Sequence, residues 1–171
     1  MIVDFLKSLS KKDCKKLLVI AITIFFCILV DQTSKLVVQN TINYGSKISF
    51  LPFFNIVNLQ NKGIGLGFFG GFSHSNNAFI FINSSIVFLL LCFTITNLKN
   101  NHLANCAAKG AVIGGATANI LDRISKDGVV DFIDFYILGL HLPVFNLADA
   151  FIFCGIFFIF LSEISQGNNP Y

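Results

Sequence analysis

An all-α membrane protein with four transmembrane helices, carrying a small extended, β-like external platform between the first two, is what this 171-residue sequence predicts. Three observations carry the prediction. Hydrophobic residues make up 54% of the chain and charged residues 12%, against roughly 25% charged in a soluble domain. The mean hydropathy of +0.74 makes lipid the natural solvent. Four apolar segments, residues 17–38, 77–98, 103–124 and 147–165, reach the roughly 20 residues that crossing a bilayer requires. The length suits one integral membrane domain, residues 1–171.

The first span follows five lysines, Lys7, Lys11, Lys12, Lys15 and Lys16. A basic flank before an apolar core also describes a secretory leader. Here no small-x-small cleavage site follows, and Asp31-Gln32-Thr33-Ser34-Lys35 comes directly after, so a retained anchor is expected. Positive charge stays on the cytoplasmic side, which places the N-terminus inside. Four spans then return the C-terminus to the cytoplasm. Residues 39–76 and 125–146 become external links.

The first link reads as short strands and turns. Residues 48–54 are apolar with Pro52 inside, and residues 55–59 alternate. Gly63, Gly65, Gly67, Gly70 and Gly71 follow, and Phe68, Phe69 and Phe72 are expected to dip into the interface. The second span is plainly apolar. The third is weaker because it carries Lys109, Asn119 and Asp122, yet it is rich in Gly and Ala. Small residues let helix backbones approach closely, so this helix is expected at the centre of the bundle. The tail 166–171 is expected to lack structure.

Nine acidic residues are present. Asp4, Asp13 and Glu163 fall on the cytoplasmic side of the predicted topology. Asp31, Asp122, Asp127, Asp131, Asp134 and Asp149 gather near the outer face. An Asp at mid-membrane costs about 2.5 to 3.5 kcal/mol on insertion scales, so ionisable groups in spans point to function. Blander roles compete. Asp31 and Lys35 are spaced to pair on one helix, and Asp122 could pair with Arg123. Asn146 could cap the fourth helix with Asp149 in its first turn. Asp127, in Lys126-Asp127-Gly128, reads as a turn residue. Asp131 differs, because it sits inside the apolar run Val129-Val130-Asp131-Phe132-Ile133. A desolvated carboxyl there has a raised pKa, and a second carboxylate nearby would leave one proton on the pair, as in aspartic peptidases.

Other chemistries find less support. Cys14, Cys27, Cys92, Cys106 and Cys154 are scattered, odd in number and without a CxxC pair. His74, His102 and His141 form no HExxH, so no metal or other cofactor is expected. Ser34 and Lys35 are adjacent, and adjacent helical residues diverge, which disfavours a Ser/Lys dyad. Gly63-x-Gly65-x-Gly67 lacks a nucleotide-binding context, and no nucleic-acid partner is expected. A proton or cation transporter would need polar groups through the full thickness, whereas these acids lie at one face. A non-catalytic adaptor is the remaining rival.

Five separated motifs then resemble one family. They are Asp31-Gln32-Thr33-Ser34-Lys35, Asn61-Lys62-Gly63, residues 114–123 (Gly114-Gly115-Ala116-Thr117-Ala118-Asn119-Ile120-Leu121-Asp122-Arg123), Val130-Asp131-Phe132-Ile133-Asp134 and Phe145-Asn146-Leu147-Ala148-Asp149. In this order on a four-helix pattern, they resemble bacterial lipoprotein signal peptidases, the signal peptidase II family of membrane aspartyl peptidases. The resemblance implies a catalytic pair at Asp131 and Asp149. It implies supporting or substrate-binding roles for Asp31, Lys35, Asn61, Gly63, Asn119, Asp122, Arg123 and Asn146. It also implies cleavage of a diacylglyceryl-modified prolipoprotein before its lipidated cysteine, in the bacterial inner membrane, and inhibition by cyclic peptides of the globomycin type. Membrane lipids are expected neighbours, and a monomer is expected to suffice. Two departures are visible: Ala118 stands where the family has Gly, and the aromatic after Asn61-Lys62-Gly63 is displaced to Phe68.

Overall fold

A computed structural model describes residues 9–63, 76–137 and 140–167. Among these, helix α1 (Lys11–Thr41) leads into strands β1 (Lys47–Leu51) and β2 (Phe54–Asn61). Helix α2 (Asn76–Thr96), a 3-10 turn (Leu98–Asn100) and helix α3 (Leu103–Lys126) follow, then β3 (Val129–Ile137), β4 (Leu140–His141) and α4 (Leu147–Gly167).

Helix α1 starts earlier than the predicted span. Ser10 and Asp13 form a reciprocal capping box, so Lys11, Lys12, Lys15 and Lys16 lie on the helix rather than ahead of it. Its 31 residues make it about 46 Å long, more than the hydrocarbon thickness of about 30 Å. Lys16 Nζ donates to the carbonyls of Leu98 and Lys99, both at 2.9 Å, tying the start of α1 to the α2–α3 turn. Helix α4 runs through Gln166 and Gly167, the first two residues of the expected unstructured tail.

The bundle is polar inside and apolar outside. Asp31, Lys35, Asp122 and Asn146 are fully buried, while Phe25, Phe81 and Phe153 are more than 65% exposed. That inversion is what lipid selects, since lipid-facing side chains need no burial and backbone polar groups pair within helices. Among the described residues, three helices are long and apolar enough to cross a membrane: Lys11–Thr41, Asn76–Thr96 and Leu147–Ser165. Helix α3 has comparable length but is more polar, and it packs against the other three helices.

Glycines make that central position possible. A Cβ built on Gly114 would lie 3.0 Å from the Ile24 backbone of α1, and one on Gly115 would lie 2.5 Å from the Ala148 carbonyl of α4. Gly115→Ala therefore has to push α4 away just where Asp149 begins. A loss of about 1 to 3 kcal/mol is expected, as for overpacked cores, read as a lower melting temperature in detergent.

The strands form an antiparallel sheet in the order β1-β2-β3-β4. The expected platform is present, and it reaches beyond the first link because β3 and β4 come from the second. Asp131 stands opposite Leu59, and Asp134 opposite Asn55. Val129, Val130, Asp131 and Phe132 are all buried, so both faces of β3 are covered and the period-2 signal of a strand is erased. The segment before α4 crosses this strand: Phe132 N and Ile133 N donate to the Phe145 carbonyl at 3.0 and 2.8 Å. That crossing brings Asn146 beside Asp131. Phe68, Phe69, Phe72 and the glycines from Gly65 to Gly71 lie outside the described residues.

Candidate active site

Asn146 is the N-cap of α4, and Asp149 is its third helical residue. The Asn146 side chain accepts from Asp149 N at 3.0 Å, and Asp149 Oδ2 accepts from Asn146 N at 3.3 Å. This is a capping box built from Asn and Asp. The capping role read from sequence is real, and it fixes the carboxylate in place. Asp149 Oδ1 is left to accept from Asn119 Nδ2 at 2.8 Å.

Asp131 reaches the same point from β3. Its Oδ1 accepts from Asn146 Nδ2 at 2.7 Å, and its Oδ2 accepts from Asn61 Nδ2 at 3.0 Å. Asn61 Oδ1 in turn accepts from Gly63 N at 3.1 Å, which fixes the amide's orientation. Asn146 Nδ2 also donates to Asn119 Oδ1 at 3.2 Å. The two aspartates thus hang on one amide network, and both line a cleft of about 550 Å³.

Burial pushes the Asp131 carboxyl up to about 6, and the nearby Asp149 charge adds to that rise. The Asn61 and Asn146 donors and the Lys35 charge pull the other way. Asp131 therefore takes a proton at a higher pH than an exposed carboxyl does.

Behind the cleft lies an ion cluster. Lys35 Nζ contacts Asp31 Oδ2 at 2.7 Å and Asp122 Oδ2 at 2.8 Å, with all three side chains fully buried. Its remaining bond goes to Asn119 Oδ1 at 3.1 Å. Lys126 adds a second cation on Asp122 at 3.0 Å, so two lysines face two carboxylates. Asp31 Oδ1 accepts from Ala148 N at 2.9 Å, placing its charge at the α4 N-terminus. Asp122 Oδ2 accepts from Val130 N at 3.2 Å, tying α3 to β3 next to Asp131. The cluster holds α1, α3, α4 and β3 together and orients Asn119.

Arg123 does not pair with Asp122. Its Nη2 donates to the Gly63 carbonyl at 3.4 Å, and its guanidinium lies 4.8 Å from the centre of the Phe79 ring. Its Nε and Nη1 are buried without a hydrogen-bond partner among the described residues.

Of the ten residues singled out from sequence, Asn61, Gly63, Asn119, Arg123, Asp131 and Asp149 line the cleft. Asn146 sits buried between the two carboxylates, while Asp31, Lys35 and Asp122 lie behind. Asp127 ends α3 in a left-handed turn, φ 54°, as a turn residue would. Three positions were missed. Asn55 donates to Asp134 at 2.8 Å and Gln32 donates to Asp122 at 3.0 Å. Asn83 lines the cleft from α2, and as a polar residue in an apolar span it carried a usable signal. Among the described residues no three His, Cys, Asp or Glu side chains are grouped to hold a metal ion.

Known proteins are similar to this chain. A family model for signal peptidase (SPase) II matches residues 23–165. The lipoprotein signal peptidase of Wigglesworthia glossinidia brevipalpis is 37% identical over 144 residues, covering 84% of this chain and 91% of that protein. The lipoprotein signal peptidase of Anaplasma phagocytophilum is 31% identical over 137 residues, covering 80% and 86%. A bacterial membrane enzyme solved by the in meso method at 2.3 Å resolution superposes with a TM-score of 0.77 at 28% identity, covering 89% of this chain and 91% of that one. With the family model covering most of the chain and all five motifs falling within its match, the chain belongs to the signal peptidase II family.

Proposed function

We propose that this chain is an aspartyl endopeptidase that removes the signal peptide from diacylglyceryl-modified prolipoproteins, cutting just before the lipidated cysteine. The observation that carries the reading is the convergence of Asp131 and Asp149 on one cleft, cross-linked through Asn146 and Asn119. One carboxylate takes a proton from water as its oxygen attacks the scissile carbonyl. The other carboxyl donates to the carbonyl oxygen. The pair then passes a proton to the leaving nitrogen and takes one back from a hydroxyl of the tetrahedral intermediate, which collapses, so the pair ends with one proton again. Asn61, Asn119 and Asn146 hold the carboxylates.

The cleft lies at the end of the bundle where α1 and α3 finish and α2 and α4 begin. With the lysine-rich end of α1 inside, that end is the outer face of the bacterial inner membrane, and both termini are cytoplasmic. Helix α3 serves as the fourth span, shielded by its neighbours. One chain supplies the whole site, so a monomer works, with lipid around it. A globomycin-type cyclic peptide would compete in the cleft.

The test is cleavage of a diacylglyceryl-modified prolipoprotein by the purified protein in detergent, with and without EDTA. Cleavage before the lipidated cysteine that resists EDTA is expected. Intact substrate after long incubation with folded protein would end the proposal.

A pH profile adds a second check. Ionising Asp131 removes a proton that the reaction needs, so kcat/KM should fall on the alkaline side with an apparent pKa of about 6 for the free enzyme. Asn61→Ala deletes a donor to ionised Asp131 and should move that limb upward in pH. A downward move, or none, would contradict the role given to Asn61.

A further inference from the structure

Asn83 is an unusual residue for its place. It lies seven residues into α2, about 10 Å down from the helix start at Asn76. Its neighbours along the apolar span include Phe81, Ile86 and Phe88, which are exposed as lipid-facing residues are. Asn83 is half-buried and lines the cleft together with Phe79, Ile82, Ala116 and Ile152, an otherwise apolar wall. Among the described residues no hydrogen bond is made by its side-chain amide. A primary amide without partners in hydrocarbon is costly, and such residues in spans mark ligand contacts.

Its level in the cleft narrows the choice. Helix α4 enters the membrane from Asp149, and Ile152 is one turn further in. Helix α3 rises through Ala116 to Asn119 and Arg123. Asn83 therefore stands beside the apolar half of the cleft, about one turn inward of the carboxylates. What must lie there, if the scissile bond sits at the aspartates, is the lipid on the cysteine. The first polar atoms of that lipid are its two ester carbonyls, which accept hydrogen bonds and donate none. An amide Nδ2 is the complementary donor.

Resting on the peptidase reading above, we infer that Asn83 recognises an ester carbonyl of the diacylglyceryl group and positions the lipidated cysteine against the catalytic pair. It is a positioning residue and exchanges no proton.

The experiment compares two lipopeptide substrates of identical sequence in detergent, one with a diacylglyceryl thioether and one with its dialkyl ether analogue. Wild type, Asn83→Leu and Asn83→Gln are assayed on both. For the ester substrate, Asn83→Leu should raise KM about 3- to 10-fold with kcat little changed, the loss of one hydrogen bond. Asn83→Gln should recover part of that loss. For the ether substrate, wild type should already show the raised KM, and Asn83→Leu should add nothing. Equal losses on both substrates would overturn the inference, since the contact would then be to peptide or purely structural. Unchanged kinetics in Asn83→Leu would overturn it as well. If wild type cleaves neither substrate, the peptidase reading fails and takes this inference with it.

Discussion

Asp131→Asn and Asp149→Asn should each lower kcat by about 10²- to 10⁴-fold, the scale of a positioned acid or base. Neither change is silent in the fold. Asp149 accepts from Asn119 Nδ2 and from Asn146 N, one bond on each oxygen. An asparagine there keeps only one acceptor and leaves one donor facing a donor. Asp131 has the same difficulty between Asn146 and Asn61, and Asn61 cannot flip without releasing Gly63 N. A penalty of about 1 to 3 kcal/mol is expected for each mismatch, enough to lower the melting temperature but not to unfold the bundle. Cleavage must therefore be read on folded protein. A folded variant that cleaves within tenfold of wild type would remove that aspartate from the catalytic pair. A structural role alone predicts loss of activity only in step with loss of fold.

The bundle was legible because lipid imposes length and composition on each span. Asp131 was legible as a candidate because a carboxylate inside Val129–Phe132 has no structural excuse that sequence can supply, whereas Asp149 was joined to it by the motif resemblance. Other features were hidden by distance along the chain. Lys35 and Asp31 are four residues apart and easily paired on paper, but Asp122 joins them from another helix, and only packing of α3 on α1 shows it. For the same reason Asp122 was open to pairing with Arg123, its chain neighbour, although adjacent helical side chains diverge. Strand β3 was read as an apolar run because both of its faces are covered. Its partner Asn55 lies 79 residues away from Asp134, beyond any local pattern. Asn146 shows how a structural and a functional role can coincide: one side chain caps α4 through its oxygen and holds Asp131 through its nitrogen.

Lys35→Met should be the most destabilising of the single changes considered. The side chains are similar in length, so packing changes little, but Asp31 and Asp122 lose contacts at 2.7 and 2.8 Å. Both carboxylates are fully buried, and breaking a buried pair from one side costs about 3 to 5 kcal/mol because the remaining charge is uncompensated. Lys126 still neutralises Asp122 in part, whereas Asp31 keeps only Ala148 N and a long contact from Gln32. The chain has no Trp to report unfolding, but it has a better probe in its cysteines. Cys27 and Cys106 are buried while Cys14, Cys92 and Cys154 are exposed, so two thiols should become reactive only on melting. Reaction of those two at clearly lower temperature is the expected result for Lys35→Met. Adding Asp31→Asn and Asp122→Asn removes the stranded charges and should restore much of the stability. Activity should stay reduced in that triple variant, because Asn119 Oδ1 loses Lys35 and keeps only the contact from Asn146 Nδ2, so its amide is held less firmly toward Asp149. A Lys35→Met protein that melts with wild type would show that the cluster does not hold the bundle. A triple variant with full kcat would show that Lys35 does not set the orientation of Asn119.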